Sequence, residues 1–288
     1  MKIGFLDMGS WFNKDNNFFV HALKHTFENV EVVDPRKAET LIFSVFGEEN
    51  QKLRYKFKKK IFFSGEPWDT NQYKFDYSLT YEPSSEKNFH LPFWMSYIDW
   101  FNLNKNNDFD NWLVPESHLN TNNPFSLKLK DRFCSFVFSR KSNYRNNIIE
   151  VLQGIGKVDC YGNLWGETPN NKKLKNGQYY KIDTISEYKF NIAFENTIKN
   201  GYVTEKILQS RIAGCIPIYS GDDSVEKVFN KDGFLNVTGM TNDEIFEEVS
   251  SINLNNKRYK LMKNEEIFEK KPRIEDVFLT FNKLFSNL

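Results

Sequence analysis

Short apolar runs alternate with a helical pattern along the N-terminal part of the chain. The helical pattern is FFVHALKHTF, in which apolar residues recur at helical spacing. The apolar runs are typical of short buried strands: KIGFLD, VEVVD, TLIFSVFG, KKIFFSG and FDYSLTYE. Strands that alternate with helices indicate a mostly parallel sheet with right-handed crossovers. We therefore predict an α/β domain over residues 1–125.

A second alternating series follows a connecting stretch that is rich in Asn, residues 103–130. Its predicted strands are RFCSFVFS, KVDCYG, FNIAFEN, CIPIYSG and FLNV, and its predicted helices include SNYRNNIIEVLQGI, ISEYK and EKILQSRIAG. Thr241 and Glu244 have the spacing of a capping box that opens a further helix. We predict a second α/β domain over residues 126–270 and a C-terminal helix over residues 271–288 that could pack back on the first domain. Two consecutive α/β domains imply a cleft between them.

Composition and charge narrow the class of protein. The chain has 288 residues, of which 40% are hydrophobic and 16% aromatic, so it can bury the cores of two domains. Its 39 Lys and Arg residues nearly balance its 38 Asp and Glu residues. The resulting formal charge of +1 gives no global footprint for nucleic acid. Any anion site must therefore be local.

The cysteines and the apolar segments indicate the cellular compartment of the protein. Cys134, Cys160 and Cys215 are far apart in apolar surroundings, which is typical of reduced, buried thiols. No apolar run reaches the roughly 20 residues of a spanning helix, and MKIGFLDMGS is too short an apolar stretch for a signal peptide. We expect a soluble, cytoplasmic protein.

The basic run KLRYKFKKK, residues 52–60, predicts a solvated amphipathic helix. The alternative is a basic face that contacts the acceptor or the surface of a membrane.

Polar residues collect where three predicted strands end. Ligands of open α/β sheets bind in the crevice at the carboxyl ends of the strands, so these loops form the candidate site. The strand IFFS precedes the first loop, CSFVFS the second and FNIAF the third. The residues that draw attention there are Gly65, Glu66, Pro67, Trp68, Arg140, Lys141, Arg145, Glu195, Asn196, Glu205 and Lys206.

Arg145 and Lys206 each lie in about the first turn of a predicted helix. The N–H groups and the positive dipole end of a helix attract phosphate to such a position. Either residue alone could be a solvated helix residue, but two cations at neighbouring strand ends favour a local pyrophosphate clamp. The chain has neither the G-x-x-x-x-G-K-[ST] element nor the G-x-G-x-x-G fingerprint, which argues against a P-loop kinase or ATPase.

Glu66 is a single carboxylate at a strand end. Gly65 and Pro67 restrict the backbone on either side of it, and Trp68 follows. A hydrophobic wall beside a carboxyl group raises its pKa, so this is the setting of a general base. The alternative is a carboxylate that caps a helix or forms a salt bridge.

Two acidic pairs could hold a divalent metal. Asp108 and Asp110 lie in the Asn-rich connection, and Asp222 and Asp223 lie in SGDDS. Magnesium sites usually need the phosphates of a substrate to complete them. We interpret both pairs as solvated loop residues and expect no metal requirement.

His21 and His25 are spaced i, i+4 and could face one ligand. However, no Glu follows the first His as the H-E-x-x-H zinc motif requires, and no third ligand is evident. We interpret the pair as part of an ordinary helix face.

Residues 188–237 contain F-E-N, G-Y-V-T-E-K, I-P-I-Y-S-G and an S-V-x-x-x-F stretch, in that order. This segment closely resembles the donor-binding signature of the α-1,3/1,4-fucosyltransferase family, which shows F-x-F-E-N followed by the same motifs. Two upstream segments also look like the family, FCSFVFSRKSNYRNNIIEVL and IFFSGEPWDTNQYKFDYSLTYE. The resemblance extends over roughly residues 60–240.

The resemblance implies a GT-B glycosyltransferase fold, with two Rossmann-like α/β/α domains facing a central cleft. It implies that the C-terminal domain binds GDP-fucose, that the N-terminal domain binds a glycan acceptor, and that inverting transfer proceeds without a metal or other cofactor. The acceptor hydroxyl would be O3 or O4 of a GlcNAc or Glc unit. Glu66 would be the base, Arg145 and Lys206 would neutralise the diphosphate, and the other donor-binding residues would be Glu195, Asn196, Tyr202 and Glu205.

Two alternatives to this function remain open at the level of sequence. A transferase of the same fold could use another nucleotide sugar. A catalytically silent protein of this fold could bind glycans, since a fold alone does not give a function.

Overall fold

The computed structural model describes residues 1–52, 56–101, 113–139, 143–162, 171–175 and 177–285. These residues divide into two compact units, one of Met1–Leu113 with Arg273–Leu288 and one of Val114–Pro272. The division falls before residue 125, because the stretch that follows Val114 is fastened to the second unit. There the Asn123 side-chain amide donates to the Ile212 carbonyl at 3.0 Å. Asp108, Asp110, Arg140 and Lys141 lie outside the described residues.

The first unit is built on a six-stranded parallel sheet. Its helices are α1 (Phe18–Thr26), α2 (Glu49–Lys52) and α8 (Ile274–Phe285). Its strands are β1 (Lys2–Leu6), β2 (Glu31–Val32), β3 (Thr40–Phe43), β4 (Lys59–Ser64), β5 (Tyr77–Thr80), β6 (Asn88–His90) and the short β7 (Ile98–Asp99). The order of the strands in the sheet is β2-β1-β3-β4-β5-β6. Every residue of β3 is buried, as a parallel strand covered on both faces requires.

The C-terminal helix α8 packs against α1. The rings of Phe18 and Phe281 meet edge to face at 6.1 Å between centroids, and His25 stacks on Phe278 at 4.3 Å. The His21 Nε2 atom is paired with the Asn16 side-chain oxygen at 2.6 Å. The two histidines therefore serve packing and a local hydrogen bond on this face of α1.

The second unit repeats the architecture, with a second six-stranded parallel sheet. Its helices are α3 (Asn143–Gln153), α4 (Gln178–Ile185), α5 (Glu205–Ile212), α6 (Asn242–Leu254) and α7 (Asn256–Asn264). Its strands are β8 (Val114–Pro115), β9 (Arg132–Val137), β10 (Val158–Tyr161), β11 (Asn171–Lys172), β12 (Tyr188–Phe194), β13 (Ile216–Ser220) and β14 (Leu235–Asn236). The order of the strands in this sheet is β11-β10-β9-β12-β13-β14.

Local signals in the second unit had mixed success. The capping box is confirmed, since the Thr241 and Glu244 side chains each accept from the backbone N–H of the other residue. The helix predicted at ISEYK is wrong, because α4 ends at Ile185 and Tyr188 already begins β12.

The three cysteines are free and buried, as predicted. Among the described residues, no helix is both long and apolar enough to cross a membrane.

Lys130 joins three segments of the second unit. Its ammonium group donates to the carbonyls of Phe125 at 3.0 Å and Ala213 at 2.8 Å, and also to the carbonyl of Ser186. Ser186 and Ala213 are the C-caps of α4 and α5. A cation at a helix C-terminus satisfies unpaired carbonyls and complements the helix dipole. Lys130 thus stabilises two helix ends at once.

Replacement of Lys130 by Met is expected to lower the free energy of unfolding by about 3 kcal/mol, because several carbonyls lose a charged donor. Urea unfolding measures this loss. The matched control is Lys128→Met, which removes a partly exposed ion pair with Asp183 and should cost less than about 1 kcal/mol. Similar losses in the two variants would contradict the role assigned to Lys130.

Candidate active site

The loop after β12 is closed around a buried carboxylate. The Glu195 side chain has no exposed surface. It accepts hydrogen bonds from the Thr204 backbone N–H at 2.7 Å, the Thr204 hydroxyl at 2.8 Å and the Lys206 ammonium group at 2.8 Å. Because Thr204 is the N-cap of α5, the end of the strand and the start of the helix are tied together. Lys206 is thereby held in one position.

A second carboxylate fastens the middle of this loop. Gly201 has a positive φ of 77°, which favours glycine, and its N–H donates to the Asp222 carboxylate at 3.0 Å. The Ser224 N–H donates to the same oxygen at 3.1 Å. Although burial opposes ionisation of Asp222, these hydrogen bonds hold its pKa below the ordinary value. Asp222 is thus engaged in loop structure.

Asp223, the neighbour of Asp222 in SGDDS, also has a local hydrogen-bond partner. The Asn236 side-chain amide donates to the Asp223 carboxylate at 3.4 Å. Within the part of the chain that the structure describes, no group of three or more His, Cys, Asp or Glu side chains is arranged to hold a metal ion.

Gly221 permits the close packing of the strand ends. A Cβ atom at this position would lie 2.2 Å from the Tyr219 hydroxyl oxygen and 2.8 Å from Cγ of Glu195. Neither atom can move away, because Tyr219 and Glu195 are both buried. A side chain at Gly221, the glycine of I-P-I-Y-S-G, would collide with Tyr219 and with Glu195 of F-E-N. The two motifs are therefore linked by steric contact.

Arg145 is brought to the same strand end from α3. Its side chain is buried, and its Nη2 atom donates to the Asn196 side-chain oxygen at 2.8 Å. Glu195 and Asn196 are consecutive, so the cations Arg145 and Lys206 are held by adjacent residues. The structure thus brings together four of the residues that the sequence singled out.

Lys181 is a cation of this region that sequence analysis missed. It lies on α4, and its ammonium group is 3.9 Å from the carboxylate of Glu205, the first residue of α5. Burial alone would raise the pKa of Glu205, but Lys206 and Lys181 hold that pKa below its ordinary value. Nothing local marks Lys181, because it belongs to no motif and approaches Glu205 only through the packing of two helices.

Two tyrosines of this region make packing contacts. Tyr202, which was expected to bind the donor, is 1% exposed and lies in the core. Tyr144 was not predicted. Its ring stacks on Phe194 at 5.0 Å between centroids, and its hydroxyl is 2.9 Å from the Ser220 hydroxyl. An alternation of apolar and polar residues could not identify Tyr144, which lies in the first turn of α3 and is about half exposed.

In the first unit, Glu66 is half-buried just after β4. The Ser64 hydroxyl accepts from the Glu66 N–H and donates to the Glu66 carbonyl, at 3.0 Å in each case. The ring of Phe93 lies so close to Gly65 that a Cβ atom there would be 2.1 Å from it. The Ser64 hydroxyl therefore fixes the backbone of Glu66, and the Phe93 ring packs against the residue before it.

Glu66 borders a cavity of about 330 Å³ within this unit. Phe63 and Phe93 line the cavity beside it. Trp68, which was expected to supply a hydrophobic wall, has 48% of its surface exposed and is absent from the described lining. The aromatic wall therefore comes from Phe63, which lies three residues before Glu66 at the end of β4, and from Phe93, which is distant in sequence. The approach of Phe93 is a property of the fold and has no local signal.

Solved structures share this two-unit architecture. A crystal structure described as α1,3-fucosyltransferase with GDP-fucose superposes with a TM-score of 0.71 at 22% identity, covering 99% of this chain and 89% of that one. The Anabaena protein HepE, solved with UDP-glucose, gives a TM-score of 0.56 at 10% identity, with full coverage of both chains. The parallel sheets of two Rossmann-like units and these similarities define the class: a protein of the GT-B glycosyltransferase fold.

Family models and relatives narrow the class. The model of the glycosyltransferase family 10 (fucosyltransferase) C-terminal domain matches residues 127–264, and the model of the α-(1,3)-fucosyltransferase FucT N-terminal domain matches residues 3–97. The chain belongs to glycosyltransferase family 10, the fucosyltransferase family.

Curated relatives agree with this assignment. The α-(1,3)-fucosyltransferase FucT of Helicobacter pylori is 29% identical over 252 residues, which cover 78% of this chain and 51% of that protein. The mouse 4-galactosyl-N-acetylglucosaminide 3-α-L-fucosyltransferase 9 is 28% identical over 148 residues, which cover 48% of this chain and 38% of that protein. The chain thus spans about half or less of the length of these relatives.

Proposed function

We propose that this chain is an inverting fucosyltransferase that moves L-fucose from GDP-β-L-fucose to O3 or O4 of a GlcNAc or Glc unit in a glycan. Family membership supports the reaction class. The observation that carries the proposal is the pair of held cations after β12, where Lys206 is bound by Glu195 and Arg145 by Asn196. A diphosphate leaving group requires positive charge of this kind.

In the proposed reaction, the acceptor oxygen attacks C1 of fucose while the bond from C1 to the diphosphate oxygen breaks. The electron pair of that bond leaves with GDP, and Glu66 accepts the proton of the acceptor hydroxyl. Negative charge grows on the diphosphate in the transition state, so fixed cations there lower the barrier. We propose that Arg145 and Lys206 perform this task in place of a metal ion.

These cations lie around the start of a helix. Arg145, Lys206 and Lys181 supply positive charge there, and the carboxylates of Glu195, Glu205 and Asp222 offset it. The start of α5 adds the positive end of a helix dipole. We propose that Asn196 contacts the fucosyl diphosphate, that Glu205 binds the nucleoside, and that the buried Tyr202 supports the loop beneath them.

GDP is expected to stabilise the protein more than UDP or ADP. A ligand that binds only the folded state at about 100 times its Kd contributes about 2.7 kcal/mol, which a thermal-shift measurement detects as a higher Tm. The three nucleotides are compared at equal concentration, with inorganic phosphate as the control for a non-specific anion effect. A larger shift with UDP or ADP would contradict the donor assignment.

Two other functions are separated by a transfer assay. The fold similarity to HepE, solved with UDP-glucose, supports a different nucleotide sugar as the alternative donor. GDP-fucose is incubated with lactose or N-acetyllactosamine, and the release of GDP and the linkage of the product are measured. Glycan binding without release of GDP would identify a catalytically silent binding protein instead.

A further inference from the structure

Two large aromatic side chains stand exposed on neighbouring loops of the first unit. Trp11 follows β1 and Phe46 follows β3, and each keeps 47% of its surface accessible. Their rings meet edge to face, with centroids 4.9 Å apart and planes at 78°. Exposed aromatic residues of this size that lie together are typical of a binding surface.

Local structure holds Phe46 in place. Asp7 has a positive φ of 53°, and its backbone carbonyl accepts from the Phe46 N–H at 2.9 Å. The Asp7 carboxylate accepts from the backbone N–H groups of Glu49 at 3.0 Å and Asn50 at 2.8 Å. The loop after β1 is thus bonded directly to the loop after β3.

The indole ring of Trp11 packs against Gly9 of its own loop. A Cβ atom at Gly9 would lie 2.4 Å from the indole ring, so the ring lies directly against the glycine backbone. The substitution of Gly9 by any other residue would displace the ring. Both aromatic side chains are therefore positioned by the chain before any ligand arrives.

The aromatic pair and Glu66 line the same cavity. Trp11, Phe46 and Glu66 all border the cavity of about 330 Å³ in the first unit. Its wall also contains polar side chains, among them Asn13 and Ser96. The volume is near the lower end of the roughly 300–1,000 Å³ of small-molecule pockets, which suits about one or two sugar rings.

We infer that the Trp11–Phe46 pair is the platform on which the acceptor sugar stacks, with one of its hydroxyl groups directed to Glu66. A pyranose of glucose configuration presents only C–H groups on its faces, and these bury well against aromatic rings. Its equatorial hydroxyls point outward in the ring plane, toward polar wall groups. The inference rests on the proposed function, because Glu66 is taken as the base.

The test is a kinetic comparison of Trp11→Ala and Phe46→Ala with the unsubstituted protein. The acceptors are lactose and N-acetyllactosamine, and GDP-fucose is the donor. Loss of one aromatic contact is expected to raise the acceptor KM about tenfold, with the KM for GDP-fucose unchanged. Trp11→Phe and Phe46→Tyr retain a ring and should recover most of the acceptor affinity. The matched control is Phe246→Ala on α6, which removes a partly exposed ring far along the chain from the cavity lining.

Saturation-transfer NMR with the same sugars and no nucleotide distinguishes failure of this inference from failure of the proposed function. If fucose is transferred but the alanine variants keep the acceptor KM, the platform is wrong and the function stands. If no fucose is transferred but the C–H protons of the sugar receive saturation that Trp11→Ala abolishes, the platform stands and the function is wrong. If these sugars neither bind nor react, both are overturned. Circular dichroism of each variant verifies that the fold is retained.

Discussion

Substitution of Glu66 by Gln is expected to lower kcat by about 10²- to 10⁴-fold and to leave the Kd for GDP unchanged. The amide has the shape of the carboxyl group but cannot accept the proton of the acceptor hydroxyl. The backbone should remain in place, because Ser64 holds it through the main-chain N–H and carbonyl of Glu66. Steady-state kinetics give kcat, and isothermal titration gives the affinity for GDP.

The control for this variant is Glu86→Gln, which neutralises an exposed carboxylate of the same unit. It should retain wild-type kcat. A loss of GDP affinity in Glu66→Gln would place this residue at the donor instead, and an unchanged kcat would remove it from the role of base.

Substitution of Lys206 by Met should weaken GDP binding about 10- to 100-fold and lower kcat as well, because a charged contact to the diphosphate is lost. The same change leaves the Glu195 carboxylate buried without its cation. Breaking a buried pair in this way typically costs about 3–5 kcal/mol of stability. Activity measured on the single variant alone would therefore mix a catalytic effect with a folding effect.

The double variant Glu195→Gln, Lys206→Met separates the two effects. It removes the unpaired charge, and a glutamine oxygen can still accept from the Thr204 N–H. Urea unfolding should show that much of the stability returns, whereas GDP affinity stays low. If the double variant also recovers GDP binding, Lys206 acts only by stabilising the loop.

Much of the second unit could be predicted from sequence because its signals are local. The run YKFNIAF, followed by a loop and a helix that begins at Glu205, corresponds to β12, the loop and α5. The capping box of α6 needs only residues three positions apart. By contrast, ISEYK was assigned to a helix because a short amphipathic pattern does not show where a helix ends, and burial of Tyr188 in β12 decides the matter.

Sequence analysis grouped residues that the structure brings together, but it did not predict their contacts. The sequence singled out Arg145, Asn196 and Lys206. It did not show that the Glu195 side chain is fully buried and holds Lys206, because this arrangement depends on the contact between Thr204 and Glu195. Lys181 reaches Glu205 only because α4 packs beside α5. Contacts of this kind join segments whose spacing in sequence carries no period, so only the fold reveals them.

The bonds that secure Lys206 have a consequence for the energetics of turnover. Its partners Glu195 and Thr204 belong to the chain itself, so in the proposed reaction little rotamer entropy would be spent when a nucleotide binds beside the ammonium group. The surroundings would also need little rearrangement as charge moves onto the departing GDP. A site prepared in this way would have a small reorganisation energy, which lowers the barrier.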